Sequence, residues 1–295
     1  MWHGTGLAGE DFAAVPGELM RGGAEVGLGG EGEAAAVEVG LGDADAQGST
    51  WDLPGFEFVR QRWPMFTGLM ASVTLPIVFR NNHLYVRIDG ALWVYDTGAD
   101  TSFGNQATSL LGPKEPVPEL YAGQFSAADI SGFLGETVAG IIGADHINRY
   151  DHIIDLQSNQ LTVSDGDLTS PGCVQPLEFF MGVPILKARI GGETHNLFFD
   201  TGAQISYFQG EAPAGATEAG TLEDFFPMIG TFSTATKLIA IGLQGLRPTL
   251  RCGQLPGLMG MALSMADVSG IVGNEVMRGR VTAFYPRRHQ LLLQP

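Results

Sequence analysis

The chain has 295 residues, 44% of them apolar and 16% charged, with 42 glycines and 16 prolines. That supports a packed core in one large or two ordinary domains, with many turns. A net charge of −16 argues against nucleic acid and anionic membrane surfaces as partners, and no apolar run reaches the roughly 18 residues of a membrane span.

Residues 1–50 hold nine Asp or Glu, one Arg and thirteen glycines, so half of the net charge lies there. Such a segment buries too little apolar area to offset its ordering entropy, and residues 1–55 are predicted to be an acidic, low-complexity, disordered segment. A regulatory prosegment is a sharper reading of the same stretch. Gly27, Gly29 and Gly32 satisfy GxGxxG, but no strand precedes them and no helix clearly follows, so the dinucleotide reading lacks its context. The start MWHGTGLAGEDF has no basic n-region and no apolar h-region, which points to the cytoplasm. The stretch MFTGLMASVTLPIVF, after Arg60 and Arg62, has some signal-like character and is read as the first strand of the folded part.

From about residue 66 the texture changes. SVTLPIVFR, HLYVRIDG and ALWVY read as three strands, with turns at Asn81-Asn82 and Asp89-Gly90. Residues 138–163 read as an apolar strand, a Gly, a short helical turn and a strand pair turning at Ser158-Asn159. The join SDGDLTSPG is rich in turn residues. After it, PILKARIGG, NLFFDTGA and the segment 268–294 repeat the order. Gly143 in GIIGADHINRY and Gly273 in GIVGNEVMRGR stand at equal positions, so the chain is an internal duplication with copies over about 66–165 and 175–295. Asp96 to Gly143 is 47 residues and Asp200 to Gly273 is 73, so the second copy carries 26 more residues between its signatures. Cys173 and Cys252 suit neither a disulfide framework nor zinc; free thiols are expected, with a single bridge as the alternative.

In each copy an apolar run, LWVY or LFF, ends in Asp-Thr-Gly-Ala, at 96–99 and 200–203. A carboxylate at the end of a buried strand is costly unless paired or hydrogen-bonded, and two in matching contexts suggest that each exists because of the other. Gly98 and Gly202 would let the backbone approach the carboxylates and donate to them. The hydroxyls of Thr97 and Thr201 could bond across to the opposite loop, and Ala99 and Ala203 are small enough to pack beneath the pair. Two carboxylates at hydrogen-bonding distance share one proton. The ionised one can then act as general base on a water while the protonated one polarises a carbonyl.

These motifs resemble those of the aspartic proteases of the pepsin/retropepsin superfamily. The resemblance covers roughly residues 66–295 and rests on DTGA at both places and on Ile141-Ile142-Gly143 and Ile271-Val272-Gly273. It implies an all-β fold of two pseudo-twofold-related β-barrel lobes with a central cleft, catalytic Asp96 and Asp200, supporting Gly143 and Gly273, no cofactor and no metal. Both lobes lie in one chain, so a monomer suffices for the site. The pattern departs from retroviral-type enzymes at Ala144 and Asn274, where an Arg would pair with the Asp of DTGAD. Asp100 is left to solvation, to a turn or to substrate backbone. FFPMIGTFSTATKLIAIG, residues 225–242, reads as a strand pair able to cover the cleft from the second copy. Phe225, Phe226 and Met228 there belong either to the core or to an apolar flap surface.

Other candidates are weaker. His146, His152, His195 and His289 show no ligand spacing and are expected in surface or loop positions, Tyr207 and Phe208 are expected in the core, and no GxSxG elbow anchors a serine hydrolase. The function expected is aspartic endopeptidase, with a protein or peptide substrate and with no nucleic-acid or membrane partner. The alternative is a non-catalytic peptide-binding module of the same fold.

Overall fold

Two-residue turns set the strands. The computed structural model describes residues 71–226 and 229–294. The first copy opens with β1 (Ser72–Arg80), β2 (His83–Ile88) and β3 (Ala91–Tyr95). Its turns, Asn81-Asn82 and Asp89-Gly90, have positive φ at both residues, the geometry that matches the right-handed twist of the strands they join. Asn, Asp and Gly tolerate that region best. There follow β4 (Phe103–Gly104), β5 (Leu120–Tyr121), β6 (Phe125–Ser126), helix α1 (Ala127–Leu134), β7 (Gly140–Ile142), α2 (Ala144–Ile147), β8 (Asp151–Asp155) and β9 (Gln160–Ser164). Helix α1 starts at a reciprocal Ser126–Asp129 capping box and stops at left-handed Gly135.

The second copy repeats the scheme with β10 (Cys173–Phe180), β11 (Val183–Ile190), β12 (Glu193–Phe199) and β13 (Ser206–Phe208). Its turns, Met181-Gly182 and Gly191-Gly192, again have positive φ throughout. Then come β14 (Thr217–Phe226), β15 (Gly230–Ala240), β16 (Thr249–Gly253), helix α3 (Gly257–Met265), β17 (Gly270–Val272), a 3-10 turn at Asn274–Met277, β18 (Val281–Tyr285) and β19 (Gln290–Leu293). Among the described residues 49% are strand and 12% helix, so the fold is all-β.

The pairings recur between the copies. Strand β3 lies parallel to β7 with Val94 opposite Ile141, and β12 lies parallel to β17 with Phe198 opposite Ile271. Antiparallel to these, Phe103 of β4 faces Ile141 and Tyr207 of β13 faces Ile271. A six-stranded antiparallel sheet in the order β1-β9-β8-β18-β19-β10 joins the copies, the middle contact placing Ile154 opposite Thr282. Above it one continuous apolar cluster draws Trp93, Tyr95 and Ile142 from the first copy and Phe199, Val272 and Phe284 from the second. Burying each such side chain favours the fold by about 1.5–3 kcal/mol. Both Asp-bearing strands therefore end over a shared core.

Several expectations are corrected. The stretch 225–242, read as a strand pair, holds only the last two residues of β14 and then all of β15; the hairpin is longer and its first strand begins at Thr217. Polar TEAGTLEDFF has no apolar alternation, and pairing with β15 rather than burial makes it a strand. His146 and His152 are buried, not at the surface; the His152 ring bonds the Ile147 carbonyl at 2.7 Å, and burial pushes its pKa down to about 4. As expected, Cys173 and Cys252 are both free thiols, and burial pushes the Cys252 thiol up to about 12. The segment 1–55, the glycines at 27, 29 and 32, and Met228 lie outside the described residues. Among the described residues no helix is long and apolar enough to cross a membrane.

Candidate active site

Each Asp leaves its strand still tied to the strand beside it. The Asp96 N–H donates to the Ile142 carbonyl and the Asp200 N–H to that of Val272, both at 3.0 Å. The chain then turns back on the carboxylate. Gly98 and Ala99 N–H donate to Asp96 Oδ1 at 2.8 and 3.1 Å, and Gly202 and Ala203 N–H to Asp200 Oδ1 at the same two distances.

The threonines lock one loop to the other. Thr97 Oγ1 donates to the Phe199 carbonyl at 2.7 Å and accepts from Thr201 N–H at 3.0 Å. Thr201 Oγ1 donates to the Tyr95 carbonyl at 2.8 Å and accepts from Thr97 N–H at 3.0 Å. Both threonines are fully buried. Each thereby satisfies a buried N–H and a buried carbonyl of the facing chain, groups that are expensive to leave unpaired.

The two carboxyls share the floor of a cleft, each lying against the glycine of the opposite loop. Burial raises the pKa of Asp200 well above the carboxylate range, and the charge and hydrogen bond of Asp96 add to the rise. Burial also raises Asp96, while the bond from Asp200 and those from Gly98 and Ala99 pull it back. The pair therefore keeps a proton where isolated aspartates have lost theirs.

Small residues make this approach possible. A Cβ on Gly98 would overlap the Asp200 carboxyl, and one on Gly202 the Asp96 carboxyl. Below, a Cβ on Gly143 would stand 2.7 Å from the Ala99 carbonyl, and one on Gly273 would overlap the Ile205 carbonyl. Gly143 and Gly273 N–H donate to Ser102 Oγ and Ser206 Oγ at 2.8 and 3.1 Å. These serines were not singled out in the sequence, although each stands six residues after its Asp.

The positions that depart from the Arg pattern take other partners. Asp100 accepts from the Tyr121 hydroxyl at 3.2 Å. The Asn274 side chain donates to the Asn82 carbonyl at 2.7 Å and to the Thr201 carbonyl at 3.2 Å, tying the β1–β2 turn to the second Asp loop.

Over the pair lies a cavity of about 380 Å³. The β14–β15 hairpin roofs it from the second copy, and the Phe225 ring stacks on Phe133 of α1 with centroids 3.4 Å apart. Phe225 packs with the first copy's apolar cluster and Phe226 with the second's. Tyr207, expected only in the core, is buried but also lines the cavity, and its hydroxyl donates to Asp224 of β14. His83, Glu223 and Asp224 line the cavity as well. Sequence reasoning passed over them because no motif holds them; the turn at Asn81-Asn82 was the available signal for His83. Among the described residues no cluster of His, Cys, Asp and Glu suits a metal ion.

No family model matches this chain, and no curated protein matches it. Among solved structures it is similar to basic 7S globulin from soybean and to conglutin gamma, a basic 7S globulin from lupine seeds. Each is 10% identical with a TM-score of 0.42, over 76% of this chain and 95% of the globulin. These findings correct the pepsin/retropepsin assignment made from the paired motifs: the similar structures reported are globulins, distant ones, and the chain is placed in no family.

Proposed function

We propose that this protein is an aspartic-type endopeptidase in which two lobes, related by a pseudo-twofold axis between β8 and β18, each supply one carboxyl. One observation carries the reading: Asp96 and Asp200 sit in mirrored loops, each carboxyl against the glycine of the other loop, and both are open to one apolar cleft. A pair built only to cap two turns has no use for a shared proton or for a cavity above it.

The chemistry needs only these groups. The ionised carboxylate takes a proton from a water as the water oxygen bonds to the scissile carbonyl carbon. The protonated carboxyl gives its proton to the carbonyl oxygen, and a neutral gem-diol results. Collapse breaks the C–N bond. The proton taken from water passes to the leaving amine, a gem-diol hydroxyl returns the other to the pair, and the products are a carboxylic acid and an amine. An extended peptide would lie along the cleft as an added strand beneath the β14–β15 hairpin. Both carboxyls come from one chain, so no second copy is required.

Incubation with a denatured protein mixture between pH 3 and 7, with new termini mapped by mass spectrometry, tests this. Asp96→Asn and Asp200→Asn should each lower cleavage by about 10³-fold or more while the fold persists. Substantial cleavage by either variant would refute the mechanism. Peptide binding without new termini at any pH would leave a binding module in its place.

A further inference from the structure

The β14–β15 hairpin belongs to the second copy, but its two phenylalanines part ways. Neighbours on a strand point to opposite faces. Phe226 packs with the second copy's apolar cluster, which includes Tyr207 and Met259. Phe225 packs instead with the first copy's cluster, which includes Val94, Phe103, Ile130 and Ile141. Its ring lies face to face on Phe133 of α1, with centroids 3.4 Å apart and planes 17° from parallel. Both rings line the cavity that holds Asp96 and Asp200. The second copy thus puts one of its own rings into the first copy's side of the cleft.

The place that ring occupies suits a guest of the same kind. Val94, Phe103, Ile130, Leu134 and Ile141 line the cavity on that side, and the Tyr121 hydroxyl there is already bonded to Asp100. Phe133 keeps 44% of its surface exposed even with Phe225 stacked on it, so the stack stands open to solvent and not in a sealed core. Strand β14 pairs with β15 alone among the described strands. Its register shifts between Glu218 and Thr221, where Gly220 has a positive φ, and such a bulge bends a strand. The Arg251 side chain holds the bend, donating to the Ala219 and Thr221 carbonyls at 3.0 and 3.2 Å. Beyond it the outer hairpin is tied to its own copy by the Gln204 bond to the Glu223 carbonyl at 3.3 Å and by the bond from Tyr207 to Asp224. Across the cleft the Phe225 side chain offers only apolar packing. Another ring can replace that packing without leaving a buried polar group unpaired.

We infer that Phe225 is a built-in plug: in the free protein its ring fills a subsite on Phe133 that takes an aromatic side chain of the peptide, beside the bond that is cut. This deepens the proposed reading of the cleft as a peptidase site and rests on it for the position of that bond. Plug and guest compete. An incoming ring meets the subsite only in the fraction of molecules whose Phe225 has swung away, and its apparent affinity falls by that fraction. Peptides without such a ring have nothing to trade for the stack.

The test has a sign. N-acetyl-L-phenylalanine amide, which offers the ring but is too short for an endopeptidase to cut, is titrated into the protein and followed by NMR. Phe225→Ala removes the competitor and should bind this probe about tenfold more tightly, the size of one aromatic pair, while N-acetyl-L-alanine amide shows no gain. Phe133→Ala removes the platform for either ring and should show no gain. In the unaltered protein the Phe225 ring signals should lose their contacts to Phe133 as the probe saturates, a measurement that needs no variant to fold. Equal or weaker binding by Phe225→Ala overturns the proposal and makes Phe225 a roof over the guest. So does a probe that binds with the Phe133–Phe225 contacts intact, or an equal gain with the alanine amide. Tighter probe binding by Phe225→Ala with no peptide cleavage by the unaltered protein would sink the proposed function and leave the subsite standing. Cleavage without that gain would do the reverse.

Discussion

Around Asp96 and Asp200 the two copies agree closely: each carboxylate accepts from the next two peptide N–H groups of its loop at 2.8 and 3.1 Å. Above the pair they part company. The second copy carries 26 more residues between its signatures and roofs the cleft with the β14–β15 hairpin, while the first has the two-residue β5 and β6 and helix α1 between its own. The difference follows from what each part touches. The threonine hydroxyls tie each Asp loop to the other, so neither loop can change alone. The cover meets the cavity and the facing rim, and it can lengthen without disturbing the floor.

The sharpest way to break this comparison is to fill the space each glycine leaves for the opposite carboxyl. Gly98→Ala and Gly202→Ala place a methyl against Asp200 and Asp96 respectively, and neither glycine has a positive φ that would add a backbone penalty. Overpacking a rigid site costs about 1–3 kcal/mol, and separating the carboxyls removes the shared proton as well. Both variants should lose stability by similar amounts in denaturant titrations and lose cleavage almost entirely. A tolerant Gly202→Ala beside an intolerant Gly98→Ala would show that the floor is not symmetric.

A smaller effect tests the lock itself. Thr97→Val and Thr201→Val keep the shape of the side chain and remove the hydroxyl. Each strips a buried carbonyl of its donor and a buried N–H of its acceptor in the other loop. Leaving such groups unpaired costs about 1–3 kcal/mol, so each single variant should unfold at correspondingly lower urea. The double variant should cost clearly less than the sum, because both hydroxyls serve one network. Strict additivity would mean that the two loops are held independently.

Much of this floor was legible in the sequence, for a physical reason. A buried carboxylate, a hydroxyl and a glycine in the same order twice leave few ways to satisfy one another, and the positions of Gly143 and Gly273 follow from the parallel strands that support them. The turns were legible too, since Asn-Asn and Asp-Gly mark positive φ. The cover was not. Strand β14 is stabilised by backbone pairing with β15 and carries no apolar period, so half of the hairpin went unread. His152 looked like a loop residue because nothing local reveals that β8 sits at the middle of the six-stranded sheet.

The smallest expected effect concerns stability rather than cleavage. Asp200, and to a lesser degree Asp96, hold protons in the folded protein at pH values where the unfolded chain has released them. The folded state binds more protons in that window, so the stabilisation is fully present below the ordinary aspartate pKa of about 3.9 and is lost as pH rises through the raised value. Asn at position 200 can still accept from Gly202 and Ala203 through its Oδ1 and can donate to Asp96, yet it never ionises. Asp200→Asn should therefore melt about 2–4 °C above the unaltered protein near pH 7, with the two curves converging below about pH 4. Asp96→Asn should show the same sign and a smaller gap. A lower melting temperature for Asp200→Asn at neutral pH would mean that the second carboxyl contributes more through hydrogen bonds than it costs through its charge, and the pair would then be a structural clasp.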